Sequence, residues 1–166
     1  YQKNGKLKEG KPAWKKDDVS MSSQTTITVA SLNVVLGKFL KKAKAGGYVA
    51  INAYLPRNDE MFDTLQKMRV AIRAKTGNAV TAGFGPRFQH STGQFHKGGP
   101  KNALFLVITA DAEKDIDIPT EGLTYGALIR AQALGDYEAL IEAKRKVMRV
   151  HLPSVKDVAD LLKALE

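Results

Sequence analysis

The sequence predicts an α/β fold, a three-layer sandwich whose mostly parallel sheet is covered by helices on both faces. Three observations carry this. YVAINAYL, ALFLVITAD and VMRVHL are short, unbroken apolar runs of the kind found in strands buried on both faces. Segments with apolar residues three and four positions apart stand between them. The resulting order of elements, α, β, α, β, β, α, α, β, α, is that of a layered α/β protein.

Each element has its own signal. Leu32, Val35, Leu36, Phe39 and Leu40 keep helical spacing and are stopped by Gly46-Gly47 after a lysine-rich last turn. YVAINAYL, residues 48–55, is apolar and β-rich and runs into the turn formers Pro56, Asn58 and Asp59. Phe62, Leu65, Met68, Arg69 and Ile72 return to helical spacing up to Gly77, and NAVTAGFG at 78–85 is strand again. Strand, helix and strand with such short connections predict a right-handed βαβ unit.

Residues 86–102 hold three glycines and two prolines with no apolar periodicity, which predicts a loop of 17 residues, longer than a compact domain keeps without a use for it. ALFLVITAD at 103–111 is a buried strand, and DIDIPTEG bridges to TYGALIRAQALGDYEALIEAKRK, read as two helical stretches divided at Gly135-Asp136. VMRVHL at 147–152 is the last strand. Pro153, Ser154 and Asp157 open the terminal helix with a pattern like a capping box. Ligands of such sheets bind beyond the carboxyl ends of the strands, where Pro56–Glu60 and the 86–102 segment both fall.

Composition narrows the classes. The 166 residues, 43% hydrophobic, suffice for one core and one domain. There is no apolar run long enough to span a bilayer and no pattern of a secretory leader, so the expected location is the cytoplasm and no membrane partner is expected. The absence of cysteine excludes disulfides and thiolate metal sites, and with three histidines no metal site is expected. The net charge of +9 is uneven: residues 1–16 carry six lysines against Glu9. Residues 1–22 are therefore expected to be a loosely ordered basic extension, with the folded domain over 23–166. A charge concentrated in a short arm, with Trp14 the one aromatic residue among its lysines, argues against a nucleic-acid partner. The chain opens with Tyr1 and not Met, which reads as a piece of something longer.

Chemistry concentrates in GFGPRFQHSTGQFHKGGP, residues 83–100. Arg87, Gln89, His90, Ser91, Thr92, Gln94, His96 and Lys97 are framed by glycines that let backbone N–H groups approach an anion or a sugar. Arg87 and Lys97 supply fixed charge for a phosphate or a developing oxyanion, and His90 and His96 are the nearby residues of the one type whose unperturbed pKa lies near neutrality. The pattern of a P-loop is absent, and two loop histidines without a third ligand at sensible spacing do not define a zinc site. His151, at the end of a strand, reads as structural.

That string, together with GGYVAINAYLP, DIDIP, TYGALIRAQALGDYEAL and VMRVHL, resembles the phosphoglucose isomerase domain of bacterial bifunctional transaldolase and phosphoglucose isomerase proteins over residues 30–155. It is also similar to the GTNxQHSFxQLxHQG stretch of ordinary phosphoglucose isomerases, whose Gln-His-Ser matches Gln89, His90 and Ser91. The resemblance implies a sugar isomerase (SIS) type of sandwich, the carboxy-terminal one of two such subdomains. It implies an aldose–ketose isomerase that interconverts glucose 6-phosphate and fructose 6-phosphate through a cis-enediol without a cofactor. His90 would help to open the ring, a carboxylate would move the proton between C2 and C1, and cations such as Lys97 would stabilise the enediolate. Arg87, Gln89, Ser91, Thr92, Gln94 and His96 would contact substrate. Implied partners are the sugar phosphate, an upstream sugar isomerase subdomain, a transaldolase domain as in the bifunctional proteins, and a second copy in a homodimer.

Two departures from the family matter. Its Met-Glu-Ser-Asn-Gly-Lys motif for the catalytic glutamate is absent, and Glu60, just past a strand on the ligand edge, becomes the candidate base. Its carboxy-terminal Asp-Gln signature is also missing, since Tyr125 is followed by Gly126 and Ala127, and Gln132 becomes a candidate substrate contact. A fragment lacking the first subdomain is expected to show little isomerase activity alone. The alternative function is a non-catalytic sugar-phosphate-binding regulatory module, which would retain phosphate affinity without needing His90.

Overall fold

The computed structural model of the chain describes residues 9, 11–16, 19–23, 31–119 and 122–166. In chain order the elements are β1 (Trp14–Lys16), β2 (Val19–Ser23), α1 (Leu32–Leu40), β3 (Tyr48–Tyr54), α2 (Asp59–Thr76), β4 (Ala79–Phe84), a 3-10 turn over Arg87–His90, and α3 (Thr92–Gly98). There follow β5 (Leu104–Ala110), β6 (Asp117–Ile118), β7 (Leu123–Thr124), α4 (Tyr125–Glu142), β8 (Lys146–Leu152), a second 3-10 turn over Val155–Asp157, and α5 (Val158–Leu165).

Six strands form one sheet in the order β1-β2-β8-β5-β3-β4. β4, β3, β5 and β8 are mutually parallel, while β2 joins β8 and β1 joins β2 antiparallel. Register is fixed by what alternate residues bury. Val49, Ile51 and Ala53 of β3, with Leu104, Leu106 and Ile108 of β5 and Met148, Val150 and Leu152 of β8, pack against α1, α2 and α5. Ala50 and Tyr54, with Phe105, Val107 and Val147, face Ala133, Tyr137 and Leu140 of α4. Because both faces are covered, the strands read as continuous apolar runs and the fold is the expected three-layer α/β sandwich.

The helices end where local chemistry says they should. The Asn58 side chain accepts from the Met61 N–H at 2.8 Å to cap α2, whose other end turns through Gly77 at φ 68°, a left-handed conformation that glycine adopts without strain. Thr124 caps α4 by accepting from the Ala127 N–H at 3.1 Å.

Four features differ from the sequence reading. The expected loop at 86–102 is largely helical, a 3-10 turn followed by α3. α4 is one continuous helix and does not divide at Gly135-Asp136: a mid-helix glycine costs only about 1 kcal/mol, and packing on the sheet offsets it. β6 and β7 pair as a small separate ribbon within the expected bridge. Finally, much of the expected basic extension at 1–22 lies outside the described residues, but Trp14–Lys16 and Val19–Ser23 within it are strands of the main sheet. The alternation Val19, Ser20, Met21, Ser22 is a strand signal, and Met21 is fully buried.

Candidate functional site

The segment after β4 reaches the carboxyl edge of the sheet in close contact with β3. At Gly85 a Cβ would lie 2.5 Å from the Tyr54 ring, so only glycine lets the chain pass here, and its N–H donates to the Ala53 carbonyl at 2.8 Å. α3 then runs inward, and buried Arg145 holds its far end. Arg145 Nη2 donates to the carbonyls of Lys97 at 2.5 Å and Gly99 at 2.7 Å, and Nη1 to that of Pro100 at 2.9 Å. One guanidinium thus gathers carbonyls left open at a helix carboxyl terminus, where its charge also complements the dipole.

These two anchors set Lys97 facing α4 across a cavity of about 760 Å³ lined by Pro86, Arg87, Gln89, His90, Lys97, Gln132, Gly135 and Asp136. Lys97 Nζ lies 2.9 Å from Asp136 Oδ1 and donates to Gln89 Oε1 at 3.0 Å. Gln89 Nε2 donates to the Tyr54 hydroxyl at 2.6 Å, and Asn52 Nδ2 approaches Asp136 Oδ2 at 3.4 Å. Asp136 is 4% exposed and Asn52 1% exposed. A carboxyl group buried so deeply needs polar partners, and Lys97 and Asn52 provide them. Burial and the neighbouring Asp136 charge push the Tyr54 phenol well above its ordinary range, so Tyr54 is a neutral group in this network.

The expected site residues separate into four sets. Arg87, Gln89, His90, Lys97 and Gln132 come together around this cavity, with Arg87, His90 and Gln132 reaching its surface. Ser91, Thr92 and Gln94 are exposed and do not line it. Helical spacing turns His96 inward, away from the cavity: its ring is 5.0 Å from Phe105 and 6.0 Å from Tyr48, centroid to centroid, and burial pushes its pKa down. Glu60 is exposed in the first turn of α2, the helix on the opposite face from α4, and lies outside the cavity. His151 is buried, with Nδ1 3.0 Å from the Thr109 hydroxyl and Nε2 3.4 Å from Asp111.

Sequence reasoning missed Asn52, Tyr54, Asp136 and Arg145. Their signal was a polar residue inside an apolar run, Asn52 within YVAINAYL and Asp136 on the inward stripe with Ala133, Tyr137 and Leu140. Among the described residues, no three of His, Asp and Glu approach closely enough to ligate a metal, and no helix is long and apolar enough to cross a membrane. The cavity instead brings together cationic side chains, an imidazole and a carboxyl group within one pocket, the equipment for binding an anion and moving a proton.

No protein-family model matches the chain. Two curated proteins are similar to part of it, the glucose-6-phosphate isomerases of two strains of Thermus thermophilus. They are 32% and 30% identical over 96 residues, a match that takes in 51% of this chain. The match spans 23% of the length of either relative. Among solved structures, a hypothetical protein from Thermus thermophilus superposes with a TM-score of 0.61 at 23% identity. That superposition covers 80% of this chain and 35% of the other, and it is a likeness of fold.

Proposed function

We propose that this chain is the carboxy-terminal sugar isomerase subdomain of an aldose–ketose isomerase acting on glucose 6-phosphate and fructose 6-phosphate. The observation that carries the reading is the meeting of Arg87, His90 and Lys97 with the buried Asp136 carboxylate around one cavity, within a chain that has local similarity to glucose-6-phosphate isomerase. His90 opens the sugar ring by proton transfer at the ring oxygen. A carboxylate then carries the proton between C2 and C1 of the cis-enediol, and Arg87 and Lys97 stabilise the enediolate, with Gln89 and Gln132 as hydrogen-bonding contacts. Ser91, Thr92 and Gln94, exposed beside the cavity, contact substrate reaching in from an upstream subdomain or from a second copy in a homodimer. A transaldolase domain further upstream, as in the bifunctional proteins, belongs to the same reading.

Of the two carboxylates, Asp136 takes the proton-transfer role here in preference to Glu60, because it shares the cavity with His90. In an assay coupling fructose 6-phosphate conversion to glucose 6-phosphate oxidation, Asp136→Asn should lower turnover about a hundredfold or more, while Glu60→Gln leaves it within about twofold. The reverse ranking would return the role to Glu60. The same assay on these 166 residues and on a longer protein carrying the upstream subdomain should show activity in the longer form and little in the shorter. Full activity in the shorter form would contradict the need for a first subdomain, and none in either would sink the isomerase reading.

A second reading has one observation in its favour. The carboxylate lining the cavity is already paired with Lys97, an arrangement suited to a regulatory module that binds a sugar phosphate without turning it over. Such a module binds fructose 6-phosphate equally well with His90→Ala and shows no turnover in the longer protein.

A further inference from the structure

A second cavity, of about 690 Å³, opens at the carboxyl ends of β3 and β5, lined among others by Tyr54, Pro56, Asp111, Asp115 and Arg130. It lies where the strand order reverses: the chain leaves β3 for β4 on one side, and β5 pairs with β3 on the other. Crevices at that position are where open α/β sheets take their ligands.

One wall of this cavity is occupied by the chain itself. Glu9 lies there, and its two carboxylate oxygens accept from two guanidinium groups, Oε1 from Arg130 Nε and Oε2 from Arg149 Nη2, each at 2.5 Å. Arg130 is on α4 and also donates to Asp111 at 2.7 Å. Arg149 stands in the middle of β8 and is 3% exposed. An arginine inside a buried strand requires an anion, because an unpaired buried charge is strongly unfavourable. Burial opposes ionisation of Glu9, but hydrogen bonds and charge from Arg130 and Arg149 hold its carboxyl below the ordinary carboxylate range.

The match between Glu9 and its two arginines is incomplete. Two further donors of Arg149, Nε and Nη1, are buried without a hydrogen-bond partner among the described residues. A carboxylate has two oxygens, and both are already engaged. A phosphate group has three terminal oxygens and up to twice the charge, which suits two converging guanidinium groups with donors to spare.

We propose that Arg130 and Arg149 form a binding site for the phosphate group of a small phosphomonoester, and that Glu9 occupies this site as an internal competitor. The cavity beside the pair has room for the organic part of such a ligand. Glu9 belongs to neither β8 nor α4, the elements that carry the two arginines, so the arginines keep their own backbone supports when a phosphate takes its place. The site is independent of the isomerase reading and stands or falls separately from it.

Calorimetric titration with inorganic phosphate and with glycerol 3-phosphate tests this. If Glu9 fills the site for about nine-tenths of the time, Glu9→Gln tightens both ligands about tenfold, with glycerol 3-phosphate bound more tightly than phosphate. Arg130→Gln and Arg149→Met then abolish that gain; Arg130 is partly exposed, so its variant keeps the test open should Arg149→Met fail to fold by circular dichroism. Arg87→Ala, in the other cavity, leaves the gain in place. Unchanged affinity in Glu9→Gln, or a gain that survives Arg130→Gln, would overturn the proposal.

Discussion

At the scale of single residues, the site depends on charges that are buried and answered. Asp136 is answered by Lys97 and Asn52, and Lys97 in turn orders Gln89 against Tyr54. His96 is buried and unanswered: its Nδ1 has no hydrogen-bond partner, and its pKa is lowered by burial and by the Lys97 charge, against the opposing pull of Asp136. A histidine held neutral in the fold but titrating near 6.5 when unfolded contributes stability that is fully present above that value and is lost as pH falls below it. Urea unfolding from about pH 7 to about pH 5 should therefore show falling stability, with a shallower fall in His96→Leu. The readout is the slope, which a packing loss alone does not change. An identical slope in the variant would show that His96 takes up its proton as readily in the folded state as in the unfolded one. His151, buried beside Arg130 and with its pKa also lowered, accounts for part of the fall that remains.

Among the elements, the segment from Gly85 to Pro100 shows what a sequence can and cannot disclose. Its clustering was legible, since Arg87, Gln89, His90 and Lys97 stand together in one string and line one cavity. Its conformation was not, because the glycines and prolines of 86–102 mask a helix that relies on tertiary anchors more than on propensity. Arg145 is the chief anchor, and nothing near it in sequence announces the carbonyls of Lys97, Gly99 and Pro100 that it collects. Removing it leaves those carbonyls without their donor. Arg145→Met should destabilise the protein by about 2 to 3 kcal/mol in urea unfolding and increase proteolytic cleavage within 85–100 before global unfolding. Stability within about 0.5 kcal/mol of the parent protein would mean that the anchor is dispensable.

Across the whole molecule, the sandwich and its parallel strands were legible because burial on both faces leaves a plain mark, the unbroken apolar run. β3, β4, β5 and β8 fall within a residue or two of their expected limits. The two antiparallel strands were less so, because Val19–Ser23 has one deeply buried side chain and stands in a polar stretch. The cavities were half legible: residues clustered in sequence line one of them, while Asn52, Asp136 and Arg149, scattered over β3, α4 and β8, gain their meaning only when the sheet and α4 close over them. The carboxyl edge of the sheet carries both cavities, joined where Tyr54 lines one and bonds Gln89 of the other. The most direct test of the isomerase account is the coupled conversion of fructose 6-phosphate by a longer protein carrying the proposed upstream subdomain, compared with its His90→Ala variant. Loss of a positioned acid–base group predicts a kcat lower by about a hundredfold or more with KM within about threefold. An unchanged kcat, or a loss confined to KM, would contradict the role given to His90.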